Sequence, residues 1–156
     1  VKVLGVDPGT RILGWALFDG RRKIVGRIEA KPLSAPMEQR LFQIFNELSA
    51  VFKRHLPSCV TMEDSYVKDR DKTVSKKLGR AQGLVMVLAV AFNCEFVEVT
   101  SSEAKKALTG KGNATKAQVQ NAAKMFGGFD GVLEEDEADA LAAAVAGYYK
   151  AEKKEP

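Results

Sequence analysis

Short apolar runs that alternate with polar residues mark strand-like segments at residues 2–6, 13–18 and 23–29, with Asp19-Gly20 supplying the turn of the second hairpin. A helical period takes over from about Met37 to His55, where Pro36 opens the first turn and Leu41, Ile44, Phe45, Leu48 and Phe52 form an apolar stripe. That stripe reads as core. A strand at 58–63, a helix over about 72–93 and a strand at 95–99 follow. Thr100-Ser101-Ser102-Glu103 then has capping-box spacing and starts a short helix. The glycine-flanked loop Gly110-Lys111-Gly112-Asn113 leads into a helix over about 114–126. From Leu133 to Tyr149 the chain reads as one Ala-rich helix, and the polar segment from Lys150 to Pro156 reads as a frayed tail. Three consecutive strands followed by alternating helices and strands predict one α/β domain over residues 1–149, a mixed five-stranded sheet with helices on both faces.

Two segments depart from simple core patterning. Leu84 to Phe92 is apolar all round, so burial of one face does not account for it. It is either a central helix of the monomer or a helix shared with a second subunit. The other is Asp7-Pro8-Gly9-Thr10, which puts an acid where the first strand ends in a tight turn. Asp-Pro-Gly alone is a common turn. The rest of the chain adds to it: Glu63 closes the run Cys59-Val60-Thr61-Met62, and Asp136 and Asp139 lie three residues apart on one helix face. Continuing that face gives Ala140, Ala143 and Gly147, small residues suited to close approach to a sheet. Glu134, Glu135 and Glu137 are explained by the dipole of the helix they begin and read as solvated.

Four carboxylates brought together repel by roughly 4 kcal/mol per close pair at an effective dielectric of 20. Divalent cations relieve such repulsion. Mg²⁺ favours carboxylates, water and phosphate oxygens, and paired ions about 4 Å apart can clamp an in-line phosphoryl displacement. No other ligand pattern competes. His55, the single histidine, sits in the last turn of a helix, and Cys59 and Cys94 lack zinc spacing and suggest a reducing compartment.

The order and context of these residues resemble the RuvC-type Holliday-junction resolvases, homodimeric endonucleases of the ribonuclease H-like superfamily. The likeness is carried by Val3 to Arg11 with Gly14, by Glu63, by Leu78-Gly79-Arg80-Ala81-Gln82-Gly83, by Gly112 through Val119 and by Asp136 through Leu141. It implies a ribonuclease H-like fold and hydrolysis of DNA phosphodiesters at four-way junctions, giving 5′-phosphate ends. Asp7, Glu63, Asp136 and Asp139 would be the ligands of two Mg²⁺ or Mn²⁺ ions. Lys105 and Lys116 match lysines used near the scissile phosphate, Lys105 rather than Lys106 by alignment to Gly110. Tyr66 matches an aromatic position used at the junction, and the helix that includes Leu84 to Phe92 matches the helix through which the family dimerises. The implied partners are junction DNA, a second copy of the chain and branch-migration motor proteins.

Composition adjusts this picture modestly. Twenty-four Lys and Arg against 20 Asp and Glu give a net charge of +4. If four acids gather in one site, the remaining surface is more basic than the total suggests. Lys68, Arg70, Lys72, Lys76, Lys77 and Arg80 crowd one segment, and Lys105, Lys106, Lys111 and Lys116 another, which makes them candidate DNA contacts. No targeting segment precedes the first strand pattern, and the longest apolar run is well short of the about 20 residues that span a bilayer. The expectation is a cytoplasmic protein that does not enter membranes. Two departures from the family pattern, Asp64 after the strand-end Glu and a longer, highly charged segment between Glu63 and Gly83, leave a viral relative with a broader range of branched DNA as an alternative. An Asp-x-Gly-Thr-type turn also occurs in nucleotide-binding ATPases and sugar kinases, but those need a second phosphate hairpin for which 156 residues leave no room. A non-catalytic junction-binding module would not need the carboxylates.

Overall fold

The computed structural model of the chain describes residues 1–64 and 71–154. The alternating runs form β1 (Val3–Asp7), β2 (Ile12–Phe18), β3 (Lys23–Glu29), β4 (Cys59–Asp64) and β5 (Glu95–Thr100). The helical segments form α1 (Met37–His55), α2 (Lys72–Ala91), α3 (Ser101–Thr109), α4 (Lys116–Gly127) and α5 (Glu135–Glu152). All five strands join one sheet in the order β3-β2-β1-β4-β5. Hairpin connections make β1, β2 and β3 antiparallel, whereas helical crossovers make β1, β4 and β5 parallel.

Strand alternation splits the core into two layers, as predicted. Leu4, Val6, Val60 and Met62 pack with Ile44, Leu48 and Phe52 of α1 and with Val85 and Leu88 of α2. Val3, Ala16 and Cys59 point the other way, onto Ala140, Leu141 and Ala144 of α5. The buried stripe of α1 is narrower than its pattern suggests: Phe45 lies at the margin, 37% exposed.

Helix ends follow their caps. Thr100 and Glu103 form the expected reciprocal box, with Thr100 Oγ1 accepting from the Glu103 amide at 3.1 Å and Glu103 Oε2 accepting from the Thr100 amide at 2.7 Å. The start of α4 is shifted from the expected 114 because Thr115 and Gln118 build a second such box. The Ala-rich helix starts at Glu135, and it does not fray at Lys150. Lys150 Nζ reaches the Glu98 carbonyl at 3.1 Å and the Glu103 carboxylate at 2.9 Å, Ala151 is buried, and Lys154 Nζ reaches Glu95 at 2.8 Å. Among the described residues, no helix is long and apolar enough to cross a membrane.

Candidate active site

Register and alternation together place the first two acids. Val6 pairs with Met62 across the parallel β1–β4 ladder, so Asp7 and Glu63 stand next to each other at the carboxyl ends of adjacent strands. Val3 and Cys59 face α5, and by the period of two so do Asp7 and Glu63. The carboxyl edge of parallel strands is where open α/β sheets bind ligands. Asp64 is exposed, and the same period turns it to the opposite face. It does not enter the acidic cluster as a competing ligand.

The other two acids are delivered by α5, which lies unusually close to the sheet because glycines face it. A Cβ built on Gly5 would come within 2.1 Å of the Ala140 carbonyl oxygen, and one on Gly14 within 2.1 Å of the Asp136 carbonyl oxygen. Gly147 lies against Thr61 in the same way. The small face expected on α5 therefore exists: Ala140, Ala144 and Gly147 lie against β1 and β4, and Ala143 packs with Val99 of β5 and with Ala104 and Val119 of α3 and α4.

The electrostatic state of the cluster follows from this approach. Burial pushes Asp7 up to about 8, reinforced by the charges of Asp139, Asp136, Glu63 and Glu135. Asp139 is pushed up to about 6 by burial, then by Glu63 and Glu135, with Lys116 opposing. Asp136 is held differently. Its Oδ2 accepts from Arg27 Nε at 3.1 Å and its Oδ1 from the Glu137 amide at 3.2 Å, while Arg27 also reaches Glu29 at 3.3 Å.

Among the described residues, no three His, Cys, Asp or Glu groups converge into a preformed cation cage. Glu63, Asp136 and Asp139 nevertheless all lie near enough to Asp7 to raise its carboxyl, and a donor set made of carboxylates fits a divalent cation. Mg²⁺ keeps several waters and takes only one or two carboxylates, so an open set of acids suits it better than a closed one.

Of the lysines, Lys116 begins α4, pairs with Glu135 on the surface, and lies near enough to feel Asp139 and Asp7. Lys105 is half-buried on α3 and is not among the strongest charges acting on Asp7 or Asp139. Lys76, Lys77 and Arg80 are exposed on α2, as is Lys111 in the loop before α4. Tyr66, Lys68 and Arg70 lie outside the described residues. His55 ends α1 with its ring 5.5 Å from that of Trp15, and Cys59 and Cys94 are free thiols. Glu135 is exposed, as expected, although its charge acts on Asp7 and Asp139; Arg27 was not predicted.

The chain is similar to known proteins along most of its length. Residues 3–147 match the family model of the crossover junction endodeoxyribonuclease RuvC. The protein of that name from Syntrophotalea carbinolica is 35% identical over 150 residues, covering 93% of this chain and 92% of the relative. Its counterpart from Chromohalobacter salexigens is 35% identical over 153 residues, covering 94% of this chain and 80% of the relative. The solved structure of T. thermophilus RuvC in complex with a Holliday junction substrate superimposes with a TM-score of 0.86 at 26% identity, over 97% of this chain and 95% of that one. The sheet order and the helices on both its faces are those of a ribonuclease H-like fold. Matched along nearly its whole length by sequence and by fold, the chain belongs to the RuvC family of crossover junction endodeoxyribonucleases.

Proposed function

We propose that the chain works as a homodimer that resolves four-way DNA junctions by hydrolysing one phosphodiester in each of two strands. The observation that carries this reading is the meeting of Asp7 and Glu63, at the carboxyl ends of two parallel strands, with Asp136 and Asp139 on the helix packed closely across that sheet face. These residues would hold two Mg²⁺ or Mn²⁺ ions. When bound, the cations neutralise the clustered charge, activate water and stabilise the leaving oxygen. In the reaction a water oxygen bonds to phosphorus as the bond from phosphorus to O3′ breaks, leaving a 3′-hydroxyl and a 5′-phosphate.

Lys116 and Lys105 supply positive charge to the scissile phosphate as negative charge develops there. Lys76, Lys77, Arg80 and Lys111 track the DNA backbone, joined by Lys68 and Arg70, and Tyr66 stacks on a base exposed at the crossover. The second copy is assigned to the open face of α2. Met86, Val87 and Val90 are exposed there, and a Cβ built on Gly79 or Gly83 meets nothing within 4 Å. The reading sets the reaction in the cytoplasm, with branch-migration motor proteins as further partners.

Cleavage of a synthetic four-way junction in Mg²⁺, compared with linear duplex of the same sequence, tests it. Paired nicks with 5′-phosphate ends in the junction alone are expected, and Asp7→Asn is expected to bind the junction without cutting it. Equal cutting of linear duplex, or parental cutting by Asp7→Asn, would refute the reading.

A further inference from the structure

The sheet places a cation of its own beside the acidic cluster. Arg27 lies on β3 directly opposite Gly14 of β2, and Gly14 has no side chain to separate the guanidinium from the first turn of α5. Arg27 Nε therefore reaches Asp136 Oδ2 at 3.1 Å, with the two side chains only 27% and 15% exposed. The remaining oxygen, Oδ1, accepts the Glu137 amide at 3.2 Å. Both oxygens of Asp136 thus have protein partners. Asp7 and Asp139 accept no hydrogen bond from any side chain or amide among the described residues.

Among the described residues this asymmetry divides the four carboxylates into one that is ion-paired and hydrogen-bonded by the protein and three that are not, since Lys116, which acts on Asp139, is itself paired with Glu135. A guanidinium is always charged and weakly hydrated, so it is a durable partner for a half-buried carboxylate. We infer that Arg27 is a positioning residue that holds Asp136 out of the cation-binding set in the DNA-free protein, leaving Asp7, Glu63 and Asp139 to take the first cation. The inference rests on the functional reading above. Arg27 lowers the negative charge available to a divalent ion by about one unit, and it occupies one potential ligand. Its guanidinium also prefers phosphate, so arriving DNA offers it an alternative partner and frees Asp136 when the substrate is in place.

Mn²⁺ binding to the DNA-free dimer, measured by isothermal titration calorimetry, tests this without reference to cleavage. Arg27→Gln is expected to tighten Mn²⁺ binding by about tenfold, because one carboxylate charge is released close to the ion. Arg27→Lys keeps the charge without the planar fork and is expected to fall between the two. Asp136→Asn alone is expected to change Mn²⁺ affinity by no more than about twofold, and in the Arg27→Gln background to remove the gain entirely. A folded Arg27→Gln protein with unchanged or weaker Mn²⁺ binding overturns the inference. So does a large loss of affinity in Asp136→Asn alone, which decides the matter even if Arg27→Gln fails to fold. Asp7→Asn separates the two levels: if it binds Mn²⁺ like the parent, the carboxylate site itself is wrong, whatever Arg27 does. Absence of Mn²⁺ binding by the parental protein would overturn both.

Discussion

Asp7 meets two opposed requirements: burial at a strand end fixes its position, and the same burial penalises its charge. Its value is about 8 in the folded chain against 3.8 ordinarily, so between those limits the folded state holds a proton that the unfolded state has released. Stability of the cation-free protein therefore falls as pH rises from about 4 to about 8, with Asp139 contributing over the narrower interval from 3.8 to about 6. Each unit of pKa difference corresponds to about 1.4 kcal/mol. In EDTA the melting temperature is expected to drop by several degrees between pH 5 and pH 9, and Mg²⁺ to restore more at pH 9 than at pH 5. Asp7→Asn should flatten most of that slope and melt higher than the parent at pH 9; identical slopes in the two proteins would contradict this account. Lys116 gives a complementary test. Its exposed pair with Glu135 contributes little stability, so Lys116→Ala should melt within about a degree of the parent while single-turnover cleavage falls by about tenfold or more. Weaker junction binding at an unchanged cleavage rate would make it an ordinary backbone contact. At this scale Asp7 and Glu63 were legible because each closes an apolar run, and Asp136 and Asp139 because of their spacing. Arg27 was not, since its partner lies 109 residues away and no local pattern links them.

Individual elements were legible to the extent that their signals were local. Alternation gave all five strands, and Thr100 with Glu103 gave the start of α3. The second capping box, Thr115 with Gln118, has the same spacing but followed a glycine-flanked loop, and the helix it begins was placed two residues early. The end of α5 was missed for a different reason. Lys150 and Lys154 are polar and look like tail, but their partners, Glu98, Glu103 and Glu95, sit in or beside β5. A close structural demand at this scale is the approach of α5 to β2. A methyl group on Gly14 would meet the Asp136 carbonyl oxygen at 2.1 Å and its carbon at 2.4 Å, both backbone atoms that cannot turn aside. Gly14→Ala should therefore push the first turn of α5 outward, at an overpacking cost of about 1–3 kcal/mol. Because that turn carries Asp136 and precedes Asp139, junction cleavage should fall by about a hundredfold, more than the loss of folded protein explains. Gly131→Ala, where nothing lies within 4 Å, is the matched control and should change stability by less than about 0.5 kcal/mol. Parental cleavage by a folded Gly14→Ala protein would show that the site tolerates a displaced helix.

For the whole molecule, the sequence indicated that α2 is apolar all round, but only the fold shows which part of it stays uncovered. Ala81 is buried and Val85, Leu88 and Ala89 pack with the sheet and α1, whereas Met86, Val87 and Val90 remain exposed, Val87 by 62% and Val90 by 79%. With Gly79 and Gly83 these residues recur every three or four positions, so they line one face along which a second helix can approach closely. Two symmetric nicks in a four-way junction call for two sites related by a two-fold axis, and a self-complementary patch generates that symmetry. Replacing Val87 and Val90 together by Glu tests the assignment cleanly, because both point to solvent in the single chain and charge there should leave its melting nearly unchanged. In the dimer the same charges would be buried unpaired, at a cost of several kcal/mol. Light scattering should then report twice the chain mass for the parent and one chain mass for the variant. On a supercoiled plasmid carrying an extruded cruciform, the parent should cut both strands within one binding event and yield linear DNA. The variant should at most release nicked circles, since the first cut relaxes the supercoil and removes the cruciform before a second monomer arrives. A dimeric variant that still linearises the plasmid would remove α2 from the interface and leave its open apolar face to some other partner.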